Sequence, residues 1–270
     1  MESSKLKNIV LLILIITNLL LGLLMLVQGV TSRQRQTQLL RDAVTLLEDR
    51  GIAVDLDAIP QADFSPSMTL ERSNDWELEM FSGLLGADTT ATQRGLVSYY
   101  VGELGQAEAR EDGSFVITLT DGAFPLDGQS IRSHGQAALQ RMGFESTVTS
   151  AEEDALEVVQ QLNGTPVFSC AATLRYQNGS LTEISGVRLT GVPTAEASQT
   201  TPLSIATLLL RFRSGIIDSG DACSAIVEAT QGYVLSPGAS GRSRLIPVLR
   251  LETDTSLYLV DALTGTVSRA

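Results

Sequence analysis

The hydropathy pattern of the chain begins with a long uncharged run. Residues 8–32 contain no Asp, Glu, Lys, Arg or His and are dominated by Leu, Ile and Val. A helix needs roughly 20 apolar residues to cross the ~30 Å hydrocarbon layer of a bilayer, where every backbone group must be paired within the chain. The run therefore predicts a short N-terminal tail at residues 1–8 and a transmembrane helix at residues 9–30.

A cleaved signal peptide is the alternative interpretation of this run. Its apolar region would span only about 7–15 residues, and the apolar stretch before the small-residue site at 27–29 is longer than that. A retained anchor is therefore favoured. The charges do not fix its orientation, because basic residues stand on both flanks: Lys5 and Lys7 before the run, and Arg33, Arg35 and Arg41 after it.

Periodic patterns downstream predict a first α/β unit at residues 31–128. Apolar residues recur at helical spacing over 36–50, and Gly51 is placed to end that helix. The other elements predicted for this unit are a strand at 52–56, a short helix at 77–85, strands at 95–102 and 114–119, and a charged turn at 108–113 between them.

A second unit is predicted at residues 129–270, where the order helix, glycine, strand recurs. The segment "ALQRMGFESTV" at 138–148 follows the same pattern as "LLEDRGIAVDL" at 46–56, which suggests two copies of one unit. Its predicted elements are helices at 136–142 and 202–213 and strands at 146–149, 156–162, 165–176, 180–189, 233–235, 244–252, 256–260 and 265–268. The fold class is therefore α+β, with a helix laid across an antiparallel sheet twice.

Three local signals in this second unit are specific. Asn163-Gly164 and Asn178-Gly179 stand between alternating apolar runs and predict tight hairpin turns, because both turn residues tolerate positive φ. The same residues match glycosylation sequons, which the hairpin geometry explains without a sugar. Thr201 is predicted to cap the helix at 202–213, and Gly215 to end it.

The charge balance argues against nucleic acid as a partner. The chain carries a formal charge of −12, whereas nucleic acid binding needs clustered Lys and Arg to neutralise phosphates. We interpret the acidity as a contribution to solubility. The two cysteines, Cys170 and Cys223, stand in apolar surroundings and are interpreted as small buried side chains, with a disulfide between them left open.

Catalytic chemistry has no support in the sequence. A nucleophile, a base and an orienting group would have to converge. The single histidine, His134, stands in a polar run at a predicted helix start and is interpreted as an exposed loop residue. The cysteines lack C-x-x-C spacing, and the glycines at 236–244 lack the strand-to-helix context of a phosphate loop. We therefore predict a non-enzymatic protein with no catalytic residue, no metal site and no cofactor.

One polar position inside the predicted membrane helix is a candidate contact site. Asn18 lies near the middle of the uncharged run, and Gly22 follows four residues later on the same helical face. An amide can hydrogen-bond to another helix in lipid, and glycine allows close approach. Asn18 and Gly22 are thus candidate contacts for a partner transmembrane helix, the alternative being a single amide that the membrane tolerates.

Several segments together resemble a known family. They are "NIVLLILIITNLLLGLLML" at 8–26, "LLEDRGIAV" at 46–54, "QQLNGTPVFSCAATLRYQNGSLTEISG" at 160–186 and "LIPVLRLETDTSLYLVDALTGTV" at 245–267. The chain resembles the YycH/YycI group of regulatory proteins of Gram-positive bacteria. Its C-terminal hairpin also resembles the end of PepSY-type α+β units, through Pro247, Val248, Leu249, Tyr258, Val260, Asp261, Ala262, Gly265 and Val267.

The resemblance implies a cell-membrane protein with its N-terminus inside the cell and its folded part outside. It also implies contact with a sensor histidine kinase of a two-component system, or with a YycH-like partner protein, partly through the transmembrane helix. It brings no active-site residues. The expected function is therefore regulation of a cell-envelope sensor kinase by protein–protein contact. The alternative is a PepSY-like envelope module that inhibits a protease or binds a peptide, for example by adding a strand at a sheet edge.

Overall fold

The computed structural model describes residues 14–15, 17–20, 35–195, 200–238 and 242–270. Residues 14–15 and 17–20 are helical. The further α-helices of the described chain are α1 (helical through residues 35–48), α2 (Asn74–Leu85), α3 (Ile131–Arg141) and α4 (Ile205–Ser219), with a 3-10 turn at Leu56–Ala58.

Strands make up most of the remaining structure. They are β1 (Ala53–Val54), β2 (Met68–Glu71), β3 (Thr90–Arg94), β4 (Val97–Gly102), β5 (Gly105–Arg110), β6 (Ser114–Leu119), β7 (Ser146–Ala151), β8 (Ala155–Leu162), β9 (Thr165–Gln177), β10 (Ser180–Val187), β11 (Pro193–Ala195), β12 (Ala225–Pro237), β13 (Arg242–Thr253), β14 (Leu257–Asp261) and β15 (Val267–Arg269). The structure thus confirms the α+β class.

The strands join through hydrogen bonds into one sheet system with two parts. The main path runs β11-β2-β13-β12-β9-β10-β6-β5-β4-β3, with β7 and β8 beside β9, and β14 and β15 beside β13. The pairs are antiparallel except for β1 with β12 and β9 with β12. The two parts meet at the β9–β12 pair, where Val167 stands opposite Tyr233.

The domain boundary between residues 128 and 129 stays a prediction. Strand pairing nevertheless crosses it, because β6 pairs with β10 over five residue pairs. Helices α2 and α3, one from each side of that boundary, pack into the same hydrophobic core. In the other part, β2 from the first predicted unit pairs with β13 from the second.

Each part has its own core, and a smaller cluster lies between them. The first core holds Phe81, Tyr100, Ile117, Leu139, Leu156 and Leu174 among others, under α2 and α3. The second lies between the sheet and helices α1 and α4 and includes Leu47, Leu209, Phe212, Leu249 and Val260. The cluster between them contains Leu70, Val167, Cys170, Leu189, Tyr233, Leu235 and Leu245.

The strongest local predictions are confirmed. Helix α1 buries Leu40, Val44 and Leu47, and Gly51 follows it with φ 82°. Both Asn-Gly turns have positive φ at both residues, 50° and 78° for the first and 52° and 74° for the second. They close the β8–β9 and β9–β10 hairpins.

Other boundaries differ from the predictions. The strand predicted at 95–102 is β4, which begins two residues later at Val97, because residues 95–96 form the turn from β3, with φ 62° at Gly95. The charged turn predicted at 108–113 begins inside β5. Helix α4 is capped by Ser204 instead of Thr201. It continues through Gly215, where a Cβ would stand 2.8 Å from the Val267 side chain, and it ends at Gly220.

The predicted membrane span lies mostly outside the described residues. Within the described part of the chain, no helix has both the length and the apolar character needed to cross a membrane.

Candidate functional site

The two residues predicted to contact a partner in the membrane are only partly described. Asn18 lies in a helical stretch and is exposed. Gly22 lies outside the described residues. Their contact with a partner helix therefore stays a prediction.

A groove beside the start of α1 is the candidate binding site of the folded part. Its volume is about 1030 Å³. Three segments form its walls: the beginning of α1, the loop at 60–64, and residues 201–206, which lead into α4. We call it the α1–α4 groove.

The walls of the α1–α4 groove are largely apolar. Leu39, Leu40, Phe64, Leu203 and Ile205 contribute large hydrophobic side chains, and Leu39 is 55% exposed. Concave, mostly apolar sites with a few polar groups are typical of binding sites. The groove is therefore suited to an apolar segment.

The described part of the α1–α4 groove has one charged group, and that group is already engaged. Asp63 is the only charged side chain that lines it among the described residues, and it accepts a hydrogen bond of 3.0 Å from Gln36 Nε2. This bond joins the loop at 60–64 to helix α1. The groove thus presents little free charge to an occupant.

A buried charged cluster lies at the junction of the two parts of the sheet system. It consists of Arg72, which follows β2, Glu77 in the first turn of α2, Tyr100 on β4, and Arg188 after β10. The side chains of Glu77 and Arg188 have no exposed surface, and that of Arg72 is 9% exposed. This cluster was not predicted from the sequence.

Glu77 is the centre of this cluster. Arg72 donates from Nε to Oε1 at 2.9 Å and from Nη2 to Oε2 at 3.0 Å. The Tyr100 hydroxyl donates to Oε2 at 2.7 Å. Arg188 Nη2 lies 2.8 Å from Oε1 and forms an ion pair with it, but the angle between the two groups does not meet the geometry of a hydrogen bond. One carboxylate thus connects three other elements of the fold.

The electrostatics of the cluster follow from its burial. Burial by itself would raise the pKa of Glu77, but the hydrogen bond from Arg72 and the charge of Arg188 outweigh it, so the pKa lies below its usual value. Burial, together with the bond to Glu77, raises the pKa of Tyr100 to about 12. Glu77 is therefore held ionised and Tyr100 protonated at neutral pH.

Arg188 is held by more than its ion pair. Its Nη1 donates to the Leu189 carbonyl at 2.8 Å, and its guanidinium lies 5.3 Å from the Phe81 ring centre and 5.9 Å from that of Trp76. Its Nε has no hydrogen-bond partner within the described residues. The cluster is closed to solvent around Arg188 and Glu77, so we assign it a structural role.

The outer edge of β3 is a second surface that the sequence did not reveal. All five residues of β3 are exposed. Among the described strands, β3 pairs only with β4, from Thr90 opposite Val101 to Arg94 opposite Val97. On β4, Ser98 accepts a bond from Arg72 and Tyr100 donates one to Glu77. The buried charged cluster thus fixes the strand on which β3 rests.

His134 lies near the start of a helix, as predicted, but it is not exposed. It stands in the first turns of α3 and is half-buried, instead of being an exposed loop residue. Its Nδ1 is 3.1 Å from the Tyr176 hydroxyl, and burial lowers its pKa. The helix begins at Ile131, five residues before the predicted start at 136, and turns His134 toward the sheet.

The cysteines do not form a disulfide. Cys170 is buried and free, and Cys223 is partly buried and free. Burial raises the pKa of Cys170 to about 12, so its thiol stays protonated. In the part of the chain that the structure covers, no three His, Cys, Asp or Glu side chains come together as a metal-binding group.

Comparison with known proteins assigns no family. No family model matches the sequence, and no curated protein matches it. The structure is similar to that of an uncharacterized protein from Eubacterium rectale ATCC 33656, with 9% identity, a TM-score of 0.46, and coverage of 81% of this chain and 90% of that one.

Two further similar structures come from Bacillus. The YpeB C-terminal domain of Bacillus megaterium shows 11% identity and a TM-score of 0.33 over 74% of this chain and 98% of that one. YycH from Bacillus subtilis shows 10% identity and a TM-score of 0.36 over 76% of this chain and 52% of that one. YycH is therefore among the structures similar to this chain, while at these identities and TM-scores membership of the YycH/YycI group stays a prediction from the sequence.

Proposed function

We propose that this chain is a single-pass membrane protein whose folded part, outside the cytoplasm, regulates a sensor histidine kinase by direct contact. The observation that carries the proposal is the position of the α1–α4 groove. Its wall begins at Gln36, directly after the predicted span at 9–30 and its basic flank. An apolar groove at that position lies within reach of the membrane-proximal segment of another membrane protein.

The occupant we assign to the groove is a membrane-proximal segment of the kinase. Such a segment leaves the bilayer beside the groove, and its apolar side chains match walls formed by Leu39, Leu203 and Ile205. Contact with the groove regulates the kinase only if the segment binds differently in the two signalling states, because a ligand shifts an equilibrium by its differential affinity. The predicted contact through Asn18 and Gly22 would add to the same interaction within the membrane.

Photocross-linking in native membranes tests this assignment. A photoreactive amino acid replaces Leu39, which lines the groove, or Leu46, which is also exposed on α1 but lies outside it. We expect the Leu39 position to capture a histidine kinase, identified by mass spectrometry, and the Leu46 position to capture much less. Equal capture from both positions, or capture of lipid alone, contradicts the assignment.

The transmembrane contact has its own test. Asn18→Leu removes the amide that would bond to a partner helix, and Ile15→Leu at another exposed position is the matched control. We expect co-purification of the kinase to fall for the Asn18 variant and to stay unchanged for the control. Undiminished co-purification of the Asn18 variant contradicts a contact through that residue.

The alternative function, a module that inhibits a protease or binds a peptide, is favoured by the free edge of β3. Gene order distinguishes the two inexpensively. A neighbouring histidine kinase and response regulator support kinase regulation, whereas a neighbouring peptidase supports the alternative.

A further inference from the structure

The edges of the sheet system differ in how they are protected against pairing with another chain. Exposed edges are commonly blunted by short strands, proline or bulges. Strand β11 has three residues and begins with Pro193, β15 has three residues, β1 has two, and β7 is interrupted by a register shift between Val148 and Ser150. Strand β3 has five residues in unbroken register with β4 and contains neither proline nor lysine.

The register of two hairpins identifies the free backbone groups of β3. Arg94 and Val97 close the two-residue turn between β3 and β4, and Gly102 and Gly105 close the next one. Residue pairs that close such turns exchange backbone hydrogen bonds, and bonded pairs alternate along the ladder. The N–H and C=O groups of Ala91 and Gln93 therefore point away from β4, toward the free edge.

Strand β3 lies against a strand that is fixed in place, and β3 itself carries one charged side chain. Strand β4 is held by the buried charged cluster through Ser98 and Tyr100. The Arg94 guanidinium lies 5.8 Å from the centre of the Tyr99 ring, on the open face of the sheet. It is the only charged side chain of β3, and no carboxylate of the described chain forms an ion pair with it.

We propose that the outer edge of β3 binds an extended peptide segment of a partner protein by strand addition, with an acidic side chain of that segment beside Arg94. Strand addition takes its affinity from main-chain hydrogen bonds and its selectivity from side chains at alternate positions. A second copy of this chain fits less well, because each copy carries a charge of −12 and a symmetric β3–β3 pair offers Arg94 no carboxylate on β3. The inference rests on the alternative function, a module that binds a peptide, and it uses a surface other than the α1–α4 groove.

A peptide selection on the full chain in lipid nanodiscs tests the inference. The probe is a phage-displayed library of random peptides about twelve residues long, long enough to cover a strand of average length. Gln93→Pro removes an outward N–H and leaves the inward bonds of Thr90, Thr92 and Arg94 in place, which an edge strand tolerates. Gln93→Ala changes the same side chain and keeps the N–H, so it is the matched control.

We expect the selected peptides to alternate β-branched residues and to include Asp or Glu. They should bind the native chain and Gln93→Ala equally, and Gln93→Pro about tenfold more weakly, as the loss of one backbone bond and a clash with the proline ring imply. Arg94→Glu should shift the selection toward Lys and Arg. Equal binding to Gln93→Pro, or no peptide enriched over empty nanodiscs, overturns the proposal.

Two measurements keep the outcome interpretable. If Gln93→Pro unfolds at a lower temperature than Gln93→Ala, hydrogen exchange on the native chain takes the place of the binding comparison with Gln93→Pro. The amides of Ala91 and Gln93 should then exchange at least about tenfold more slowly with a selected peptide bound, as a new hydrogen bond requires, and unchanged exchange overturns the proposal. Leu39→Glu should sharply lower co-purification of the kinase without changing peptide binding, so failure at the groove and failure at the β3 edge are distinguishable.

Discussion

At the scale of single residues, Glu77 shows how this fold tolerates charge in its interior. A carboxylate without solvent contact is costly unless it is paired and hydrogen-bonded. Glu77 has Arg72, Tyr100 and Arg188 around it. These partners come from the β2–α2 connection, β4 and the end of β10, so removing the carboxylate leaves two buried guanidinium groups facing each other.

Replacing Glu77 by Gln should lower the free energy of unfolding strongly. Breaking a buried ion pair by removing one partner costs about 3–5 kcal/mol, because an uncompensated charge remains. Urea unfolding of the full chain in detergent measures the loss. The control is Glu71→Gln, which breaks an exposed pair with Arg242, both side chains being about 70% exposed, and should cost about 0–1 kcal/mol. Similar losses from both variants contradict the structural role of Glu77.

Acid should destabilise the native chain more than it destabilises the Glu77→Gln variant. The pKa of Glu77 is lowered in the folded state, so below its unfolded value of about 4.3 the unfolded chain binds more protons. Its contribution is present above that pH and is lost as the pH falls through the lowered folded pKa. Unfolding measured from pH 7 down to pH 3 should show a shallower acid loss for the variant, and parallel curves contradict this account.

The buried charged cluster left a partial signal in the sequence. Glu77 stands at helical spacing with Met80, Phe81 and Leu84, all of which α2 buries, so it occupies a position in the apolar stripe. Arg188 stands between Val187 and Leu189 in an apolar strand end. A charged residue at an apolar position indicates that it has a buried partner of opposite charge. Only the folded chain shows that Glu77 and Arg188 are partners of each other.

At the scale of elements, local sequence patterns were enough to predict structure where one or two residues determine the backbone conformation. The two Asn-Gly turns and the end of α1 at Gly51 were predictable, because positive φ is favoured at few residue types. Strand β3 was not predictable. Its residues "TATQR" are all exposed and show no alternation of apolar and polar side chains, which is the signal that sequence-based assignment needs.

Gly215 offers a test of packing at the element scale. Alanine is ordinarily the better helix former by about 1 kcal/mol, but a Cβ here would stand 2.8 Å from Val267 Cγ2 and 2.9 Å from its Cβ. We therefore expect Gly215→Ala to lower the free energy of unfolding by about 1 kcal/mol or more. Adding Val267→Ala removes the Cγ2 contact but keeps the Cβ at 2.9 Å, so it should reduce that penalty only in part, relative to Val267→Ala alone. A stabilising Gly215→Ala contradicts the packing of α4 on β15.

At the scale of the whole molecule, the sequence predicted the class of fold better than its connections. The α+β class followed from alternating helical and strand patterns, and it is confirmed. The pairing of β6 with β10 and of β2 with β13 joins residues more than fifty positions apart, and no local pattern specifies such pairs. The α1–α4 groove was hidden for the same reason, because its three walls are distant in sequence.

The central claim is that the chain regulates a sensor kinase through the α1–α4 groove. The most direct measurement is the autophosphorylation rate of the kinase that cross-linking identifies. This kinase is co-reconstituted in nanodiscs with the native chain, the Leu39→Glu variant or the Leu46→Glu variant. The native chain and Leu46→Glu should change the rate equally, and Leu39→Glu should leave it at the value of the kinase alone. No effect of the native chain, or equal effects of all three chains, would contradict the account.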